Sequence, residues 1–254
     1  MKLSLKKILK IIGLYEFVFS LVTSLLDWYT KTKFNVSYYF LKFSKKPKKF
    51  RFQGRTYNYL FHRYNTTWRN ERAVEVPIIY DLVTANKSKS ILEFGNVLSH
   101  YLPIDHDVLD KYEVGEKIIN EEVVTFKPKK KYDLIVSIST LEHVGWDEYE
   151  GGYKRGEKVR KGSPLKTLKA LENLTRHLKN KGKIVFTTPL GYNSHLDKLI
   201  QSKRLNLTNE MYMKRVSIEN DWVEASSKQV LNSKYNYPYP AGNSILIGTV
   251  IKQK

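Results

Sequence analysis

Five short apolar runs, each closed by a polar residue or a glycine, limit what this chain can fold into. They are Ser90-Ile91-Leu92-Glu93-Phe94-Gly95, Asp107-Val108-Leu109-Asp110, Tyr132-Asp133-Leu134-Ile135-Val136-Ser137, Lys183-Ile184-Val185-Phe186-Thr187-Thr188-Pro189 and Ser244-Ile245-Leu246-Ile247-Gly248-Thr249-Val250-Ile251. Runs of that length bounded by turn residues read as buried strands. Helical periodicity lies between them. Residues 68–86 place Val74, Ile78, Leu82 and Val83 on one face, with a bend or a fresh turn expected at Pro77. Leu165, Leu168, Leu171, Leu174 and Leu178 recur every three or four residues, after Ser163-Pro164 and before Lys181-Gly182. Alternating strands and helices predict an α/β domain with a mostly parallel sheet. Such sheets bind ligands outside the carboxyl ends of their strands, near the point where strand order reverses.

The domain is expected over residues 57–254, with Pro47 and Gly54 marking its border with an arm over 1–56. The chain carries 44 Lys and Arg against 25 Asp and Glu, a formal charge of +19. The arm holds 13 of those basic residues and only two acids, Glu16 and Asp27. A polyanionic neighbour is implied, either anionic lipid or nucleic acid; general lysine decoration of exposed faces is the plainer alternative. In the arm, Leu5, Ile8, Leu9 and Ile12 share a helical face away from Lys6, Lys7 and Lys10. Trp28 and Tyr29 follow an apolar run over 11–26, and further aromatics lead into Lys45-Lys46-Pro47-Lys48-Lys49. The run has 16 residues and is interrupted by Glu16, short of the ~20 that cross a bilayer. A signal peptide would want a small-residue cleavage site, and none is clear. An in-plane hairpin on an anionic membrane, through residues 1–50, fits better; a helix pair packed on the domain is the alternative. The location expected is cytoplasmic, peripheral on the inner face of the cell membrane.

Zero cysteines exclude disulfides, thiolate metal sites and a cysteine nucleophile. The six histidines show no metal-ligand spacing. Ser137 and Ser139 lack the Gly-x-Ser-x-Gly elbow of a hydrolase. What remains stands at strand ends. Glu93-Phe94-Gly95-Asn96 closes the first run, and its glycine lets a ligand approach the backbone. Asp110 closes the second, where a carboxylate can accept from two ribose hydroxyls. Asp133-Leu134-Ile135-Val136-Ser137-Ile138-Ser139-Thr140-Leu141-Glu142-His143-Val144-Gly145 places polar side chains past the third.

On these residues the chain resembles the class I S-adenosylmethionine-dependent methyltransferases. Ile91-Leu92-Glu93-Phe94-Gly95 is similar to the family's first motif, and Asp110 matches its ribose-gripping acid. Glu121, in Ile119-Asn120-Glu121-Glu122, falls at the place beside the adenine. The run from Asp133 through Leu141-Glu142-His143-Val144 and the segment 178–186 resemble later motifs. The resemblance covers about residues 70–250. It implies a Rossmann-like, mostly parallel seven-stranded sheet with helices on both faces, preceded here by the helical arm. It implies S-adenosylmethionine as cofactor, held by Glu93, Gly95, Asn96, Asp110, Glu121 and Ser139. Two departures stand out. Gly95 is followed by Asn96-Val97-Leu98-Ser99-His100 with no further glycine, and Pro103 leaves room for a turn or two of helix before Val108.

Methyl transfer needs an aligned nucleophile and, for a hydroxyl, a base. His143 is the candidate catalytic base, with Glu142 to orient it or the substrate; a helix-start charge and a packed side chain is the alternative role for the pair. His100, Tyr101 and His195 are further candidates. Glycine-rich residues 146–162 read as a lid, and the Tyr-, Trp- and Arg-rich segment 57–72 as a cap, or else as a plain loop and ordinary packing. The expected activity is O-methylation of a small molecule, glycan or lipid-linked saccharide at a membrane surface. A nucleic-acid methyltransferase is the alternative, although Ser137-Ile138-Ser139-Thr140 stands where an Asn-Pro-Pro-Tyr-like run would be. A non-catalytic polyanion-binding scaffold is the third reading.

Overall fold

The computed structural model describes residues 48–146, 163 and 165–253, with scattered positions between 17 and 43. The chain divides into two compact units, Met1–Pro47 and Lys48–Lys254. In the first, every described position is helical, and Phe17, Leu21, Leu25, Trp28, Val36, Tyr39 and Phe43 are exposed. Among the described residues no helix is long and apolar enough to cross a membrane.

The second unit starts earlier than the border expected at 56/57. A hairpin of β1 (Lys49–Phe52) and β2 (Arg55–Asn58) opens it. Phe50 and Phe52 are buried, and Phe50 stacks on Tyr57 at 5.3 Å between ring centroids. Gly54, read from sequence as a border, is the hairpin's turn: Gln53 and Gly54 both have positive φ (50° and 73°), as a two-residue primed turn requires.

The main sheet contains β3 (Ile91–Phe94), β4 (Asp107–Leu109), β5 (Ile118–Ile119), β6 (Tyr132–Ile138), β7 (Leu178–Pro189), β8 (Asn209–Arg215), β9 (Trp222–Ala225) and β10 (Ser244–Ile251), in the order β5-β4-β3-β6-β7-β10-β8-β9. The strands from β5 to β7 run parallel, and β10 is antiparallel to both β7 and β8. The sheet is Rossmann-like, with eight strands rather than seven. The added edge strand β9 pairs antiparallel with β8. It escapes sequence reading because only Trp222 of its four residues is buried. Order reverses at β3, so its carboxyl end is the switch point.

Both sheet faces are covered, which explains the continuous apolar runs. Leu92, Ile135, Ile184, Phe186 and Leu246 pack with α2 (Lys166–Arg176) and α3 (Ser194–Gln201). Leu134, Val136, Ile138, Val185, Ile245 and Ile247 pack with α1 (Arg72–Ala85) and the hairpin. A last short helix, α4, spans Ser227–Val230. Pro77 lies inside α1 without ending it. Its missing N–H would leave the Ala73 carbonyl unpaired, and that carbonyl accepts from the Leu60 N–H at 2.9 Å instead. Helix α2 ends before the expected Lys181-Gly182. Strand β7 already starts at Leu178, and Lys181, with φ of 60°, sits in a bulge that shifts its register against β6. Between β3 and β4 the chain makes only a 3-10 turn, Leu98–His100.

Candidate functional site

The loop after β3 is held from below. Glu93 is fully buried; its Oε1 accepts from the Val97 and Leu98 N–H groups at 2.9 and 2.8 Å, and its Oε2 lies 3.0 Å from His106 Nε2. The acid of the first run thus sits under the loop, where it fixes the loop's path. Gly95 has φ of +85°, and a Cβ on it would run into the Thr140 side chain. That close approach seats the β3 loop against the end of β6. Gly95→Ala is expected to destabilise the domain by at least about 2 kcal/mol, from left-handed strain and overlap together. Thr140→Ala added to it removes Oγ1 and Cγ2 but keeps Cβ 2.8 Å away, so it should recover only part of the overlap and none of the strain, measurable as a small return of Tm.

Asp110 stands at the end of β4 and is also heavily used. Its Oδ2 accepts the Asn96 N–H at 2.9 Å, and its Oδ1 accepts the Tyr112 and Glu113 N–H groups, each at 2.8 Å. With four lone-pair sites on a carboxylate, one remains. Glu113 supplies what Asp110 lacks. Its Oε2 accepts from Asn96 Nδ2 at 2.6 Å, its Oε1 lies 3.1 Å from His100 Nε2, and its side chain is 42% exposed. Ser99 donates its hydroxyl to Asn96 Oδ1 at 2.5 Å. Sequence reading passed over Glu113 because it lies four residues beyond the strand end, in no motif. Asn120 ties the same loop down by donating to the Asp110, Lys111 and Glu113 carbonyls. Glu121, the expected adenine-side residue, is exposed at the end of β5. Its neighbour Glu122 is paired with Lys111 and Lys166 at 2.9 and 3.0 Å. Burial pushes that carboxyl up, but the two ammonium groups outweigh it and hold it below the usual range.

The second half of the site lies past β6. Ser139, with φ of 37°, donates its hydroxyl to Glu75 Oε1 at 2.6 Å, and its carbonyl accepts from Arg72 Nη2 at 3.2 Å. Ser139 therefore faces α1, and the Arg72–Glu75 pair (2.7 Å) is a buried ion pair set into the site's wall. Burial works against the Arg72 charge, yet Glu75, Glu71 and Glu142 outweigh it. Glu75 itself is raised by burial despite Arg72. Sequence reading missed both. The available signal was a lone acid inside the apolar run Ala73-Val74-Glu75-Val76, with an arginine three residues before it.

Glu142 and His143 lie on a 3-10 turn, Leu141–His143. Glu142 is 2% exposed; its Oε2 accepts from Thr188 Oγ1 at 3.2 Å, and its carbonyl accepts from Asn193 Nδ2 at 2.7 Å. Burial, with Glu75 adding to it, pushes its carboxyl up to about 7, against the lowering pull of His143 and Arg72. His143 is partly open, with Nε2 3.9 Å from Glu142 Oε1 and its ring edge-on to Tyr192. His195 is edge-on to Trp146. The cap segment reaches the other side: Tyr64 stacks on His100 at 4.3 Å, and Tyr101 meets His62 and Tyr64 edge-on. The proposed lid, from 147 to 162, lies outside the described residues.

Glu93, Gly95, Asn96 and Asp110 therefore meet at the ends of β3 and β4. Ser139, Glu142 and His143 meet at the end of β6, and Gly95 against Thr140 joins the two groups. The first group carries carboxylate acceptors, and the second holds a buried carboxyl raised to about 7 beside an imidazole.

No family model and no curated protein matches the chain. Among solved structures it is similar to the N-methyltransferase NodS from Bradyrhizobium japonicum in complex with S-adenosyl-L-homocysteine, at TM-score 0.42 and 12% identity over 72% of this chain and 92% of that one. It is similar to an rRNA methylase from Streptococcus thermophilus at TM-score 0.40 and 11% identity, over 71% and 97%. A S-adenosylmethionine-dependent methyltransferase from Clostridium acetobutylicum gives 0.36 and 12%, over 70% and 90%. The order of the parallel strands, the two reversed strands β10 and β9 and the switch point at β3 make this a Rossmann-like sheet.

Proposed function

We propose that the chain is a S-adenosylmethionine-dependent methyltransferase that methylates a hydroxyl of a small molecule or glycan, working at a membrane surface. The observation that carries the reading is Glu142, a buried carboxyl raised to about 7 beside His143 at the switch-point crevice. The donor set at the other end of the crevice fits the cofactor. One free lone pair on Asp110 and the side-chain-bonded Glu113 can accept from ribose hydroxyls, and the loop from Gly95 to Leu98 is fixed by Glu93. When bound, S-adenosylmethionine supplies an electrophilic methyl group on a sulfonium. His143 accepts the proton of the acceptor hydroxyl at Nε2, and Glu142, ionised, balances the imidazolium that results. Arg72 and Glu75 hold Ser139 through its carbonyl and its hydroxyl.

The arm supports the membrane part. Phe17, Leu21 and Leu25 are spaced four residues apart in helical conformation and are exposed, as an apolar face of an in-plane helix would be. The lysines of 1–10, just before it in sequence, add attraction to acidic headgroups.

Calorimetry with S-adenosylhomocysteine tests the cofactor site. Glu113→Gln is expected to weaken binding about tenfold with Tm unchanged, since one charge-assisted contact is worth about 1.5–3 kcal/mol and the side chain is half-open. Asp110→Ala should lower both affinity and Tm, because three backbone N–H groups lose their acceptor. Wild-type protein that shows no binding heat would overturn the reading. Methyl-labelled cofactor incubated with cell extract then identifies the acceptor; label in RNA alone would replace the hydroxyl of a small molecule or glycan with a nucleic-acid acceptor.

A further inference from the structure

The charge excess of the second unit is not spread over it. Four segments, 87–90, 127–133, 176–183 and residue 252, hold eleven Lys and Arg against one acid, Asp133. The rest of the unit, over 48–254, holds twenty-four basic and twenty-two acidic residues. General lysine decoration would leave the remainder strongly basic, and it is close to balanced.

The sheet brings these segments to one edge. Asp133 N–H donates to the Ser90 carbonyl, Tyr132 N–H to His177, and Lys252 N–H to Gly182. Leu134 pairs with Lys183, and Lys183 with Ile251. The edge is formed by the amino ends of β3, β6 and β7 and the carboxyl end of β10. Lys87, Lys89, Lys127, Lys129, Lys131, Arg176 and Lys181 are exposed there. Asp133 is already engaged by Lys179 at 2.7 Å, and the ammonium of Lys252 rests on the Arg176 and Leu178 carbonyls. The charges act on one another: after burial, Lys131, Lys252 and Arg176 are what hold the His177 imidazole below its ordinary range.

We propose that this lysine edge docks the domain on an anionic lipid surface. Three features favour lipid over nucleic acid. Ten of the eleven cations are lysines, compact hydrated charges suited to a diffuse charged surface rather than to bidentate phosphate recognition. Among the described residues of the edge there is no exposed Tyr, Phe or Trp to stack bases on, as Tyr132 is 1% exposed. It also lies at the opposite strand ends from the crevice, about 20 Å away along the seven residues of β6, so it is no track for a nucleic-acid substrate. Docked this way, the crevice opens toward water, and the acceptor reaches it from the aqueous side.

Full-length protein is mixed with vesicles of neutral phosphatidylcholine, and with vesicles in which a third of the lipid is phosphatidylglycerol. Two variants of equal charge are compared: Lys87, Lys127, Lys129 and Lys131 all to Gln on the edge, and Lys198, Lys214, Lys228 and Lys234 all to Gln elsewhere. The edge variant is expected to bind anionic vesicles at least about tenfold more weakly than wild type at low salt, with neutral-vesicle binding and Tm unchanged. The control variant should lose about twofold or less. Equal losses in both variants, or wild-type binding by the edge variant, would overturn the proposal. So would an edge variant that keeps its vesicles and loses a short RNA duplex. The readout needs no cofactor, so its failure leaves the methyltransferase reading standing, and the reverse holds.

Discussion

Arg72→Met is expected to lower folding stability by about 3–5 kcal/mol at pH 8, the usual cost of removing one partner from a buried ion pair. Arg72 donates to Glu75 at 2.7 Å and to the Ser139 carbonyl at 3.2 Å, and Glu75 is fully buried. Removing the guanidinium leaves Glu75 with the Ser139 and Thr187 hydroxyls as side-chain partners, neither of them charged, and with Glu71 and Glu142 nearby as like charges. Protonation relieves that burden, so the loss should shrink as pH falls toward 5. Arg72→Met combined with Glu75→Gln should recover most of the stability, because the uncompensated charge is gone. Urea denaturation of the three proteins at pH 5 and pH 8 reads all of this. A single variant as stable as wild type at pH 8 would show that the pair contributes nothing.

The same residues explain how much was legible beforehand. Strands β3, β4, β6, β7 and β10 are covered on both sides or lie between covered neighbours, so their sequences are continuous apolar runs. Strands β5 and β9 are not: one has two residues and the other presents Val223 and Glu224 to solvent. The acids at strand ends could be found because each terminates a run. Asp110 fell into view for that reason; Glu142 and His143 did so through the polar stretch past β6 that resembles a later motif of the family. Arg72 and Glu75 could not be placed this way, since Glu75 meets Ser139 across 64 residues of chain through a packing contact that no local pattern encodes. The spacing also misread roles. Glu93 and Ser139 stand at ligand positions by sequence, yet their polar atoms are turned to the loop amides and to Glu75. Glu113, outside every motif, is the partly exposed carboxylate bonded to Asn96 and His100 beside Asp110.

Glu142→Gln should separate stability from activity. A carboxyl raised from 4.5 to about 7 binds its proton more tightly in the folded state than in the unfolded one. Its contribution is fully present below the unfolded value and is lost as pH rises through the folded value, at about 1.4 kcal/mol per pH unit. The folded protein therefore gives up on the order of 3 kcal/mol between pH 4.5 and 7 at this one residue. Gln keeps the shape and the acceptor for Thr188 Oγ1 and never ionises. The variant should be more stable than wild type at pH 8 and close to it at pH 5, so the gap between their Tm values should open with pH. Activity should move the other way. Without a carboxylate to balance the His143 imidazolium, kcat is expected to fall by about 10²–10⁴, the range for a lost acid–base group. The limb of the pH–rate profile near 7 should vanish with it. The stability gain is independent of any substrate, so it tests the burial of Glu142, while the lost limb tests its part in the chemistry. A variant with unchanged Tm difference across pH would place the carboxyl in contact with water, and the reading of this crevice as an acid–base site would go with it.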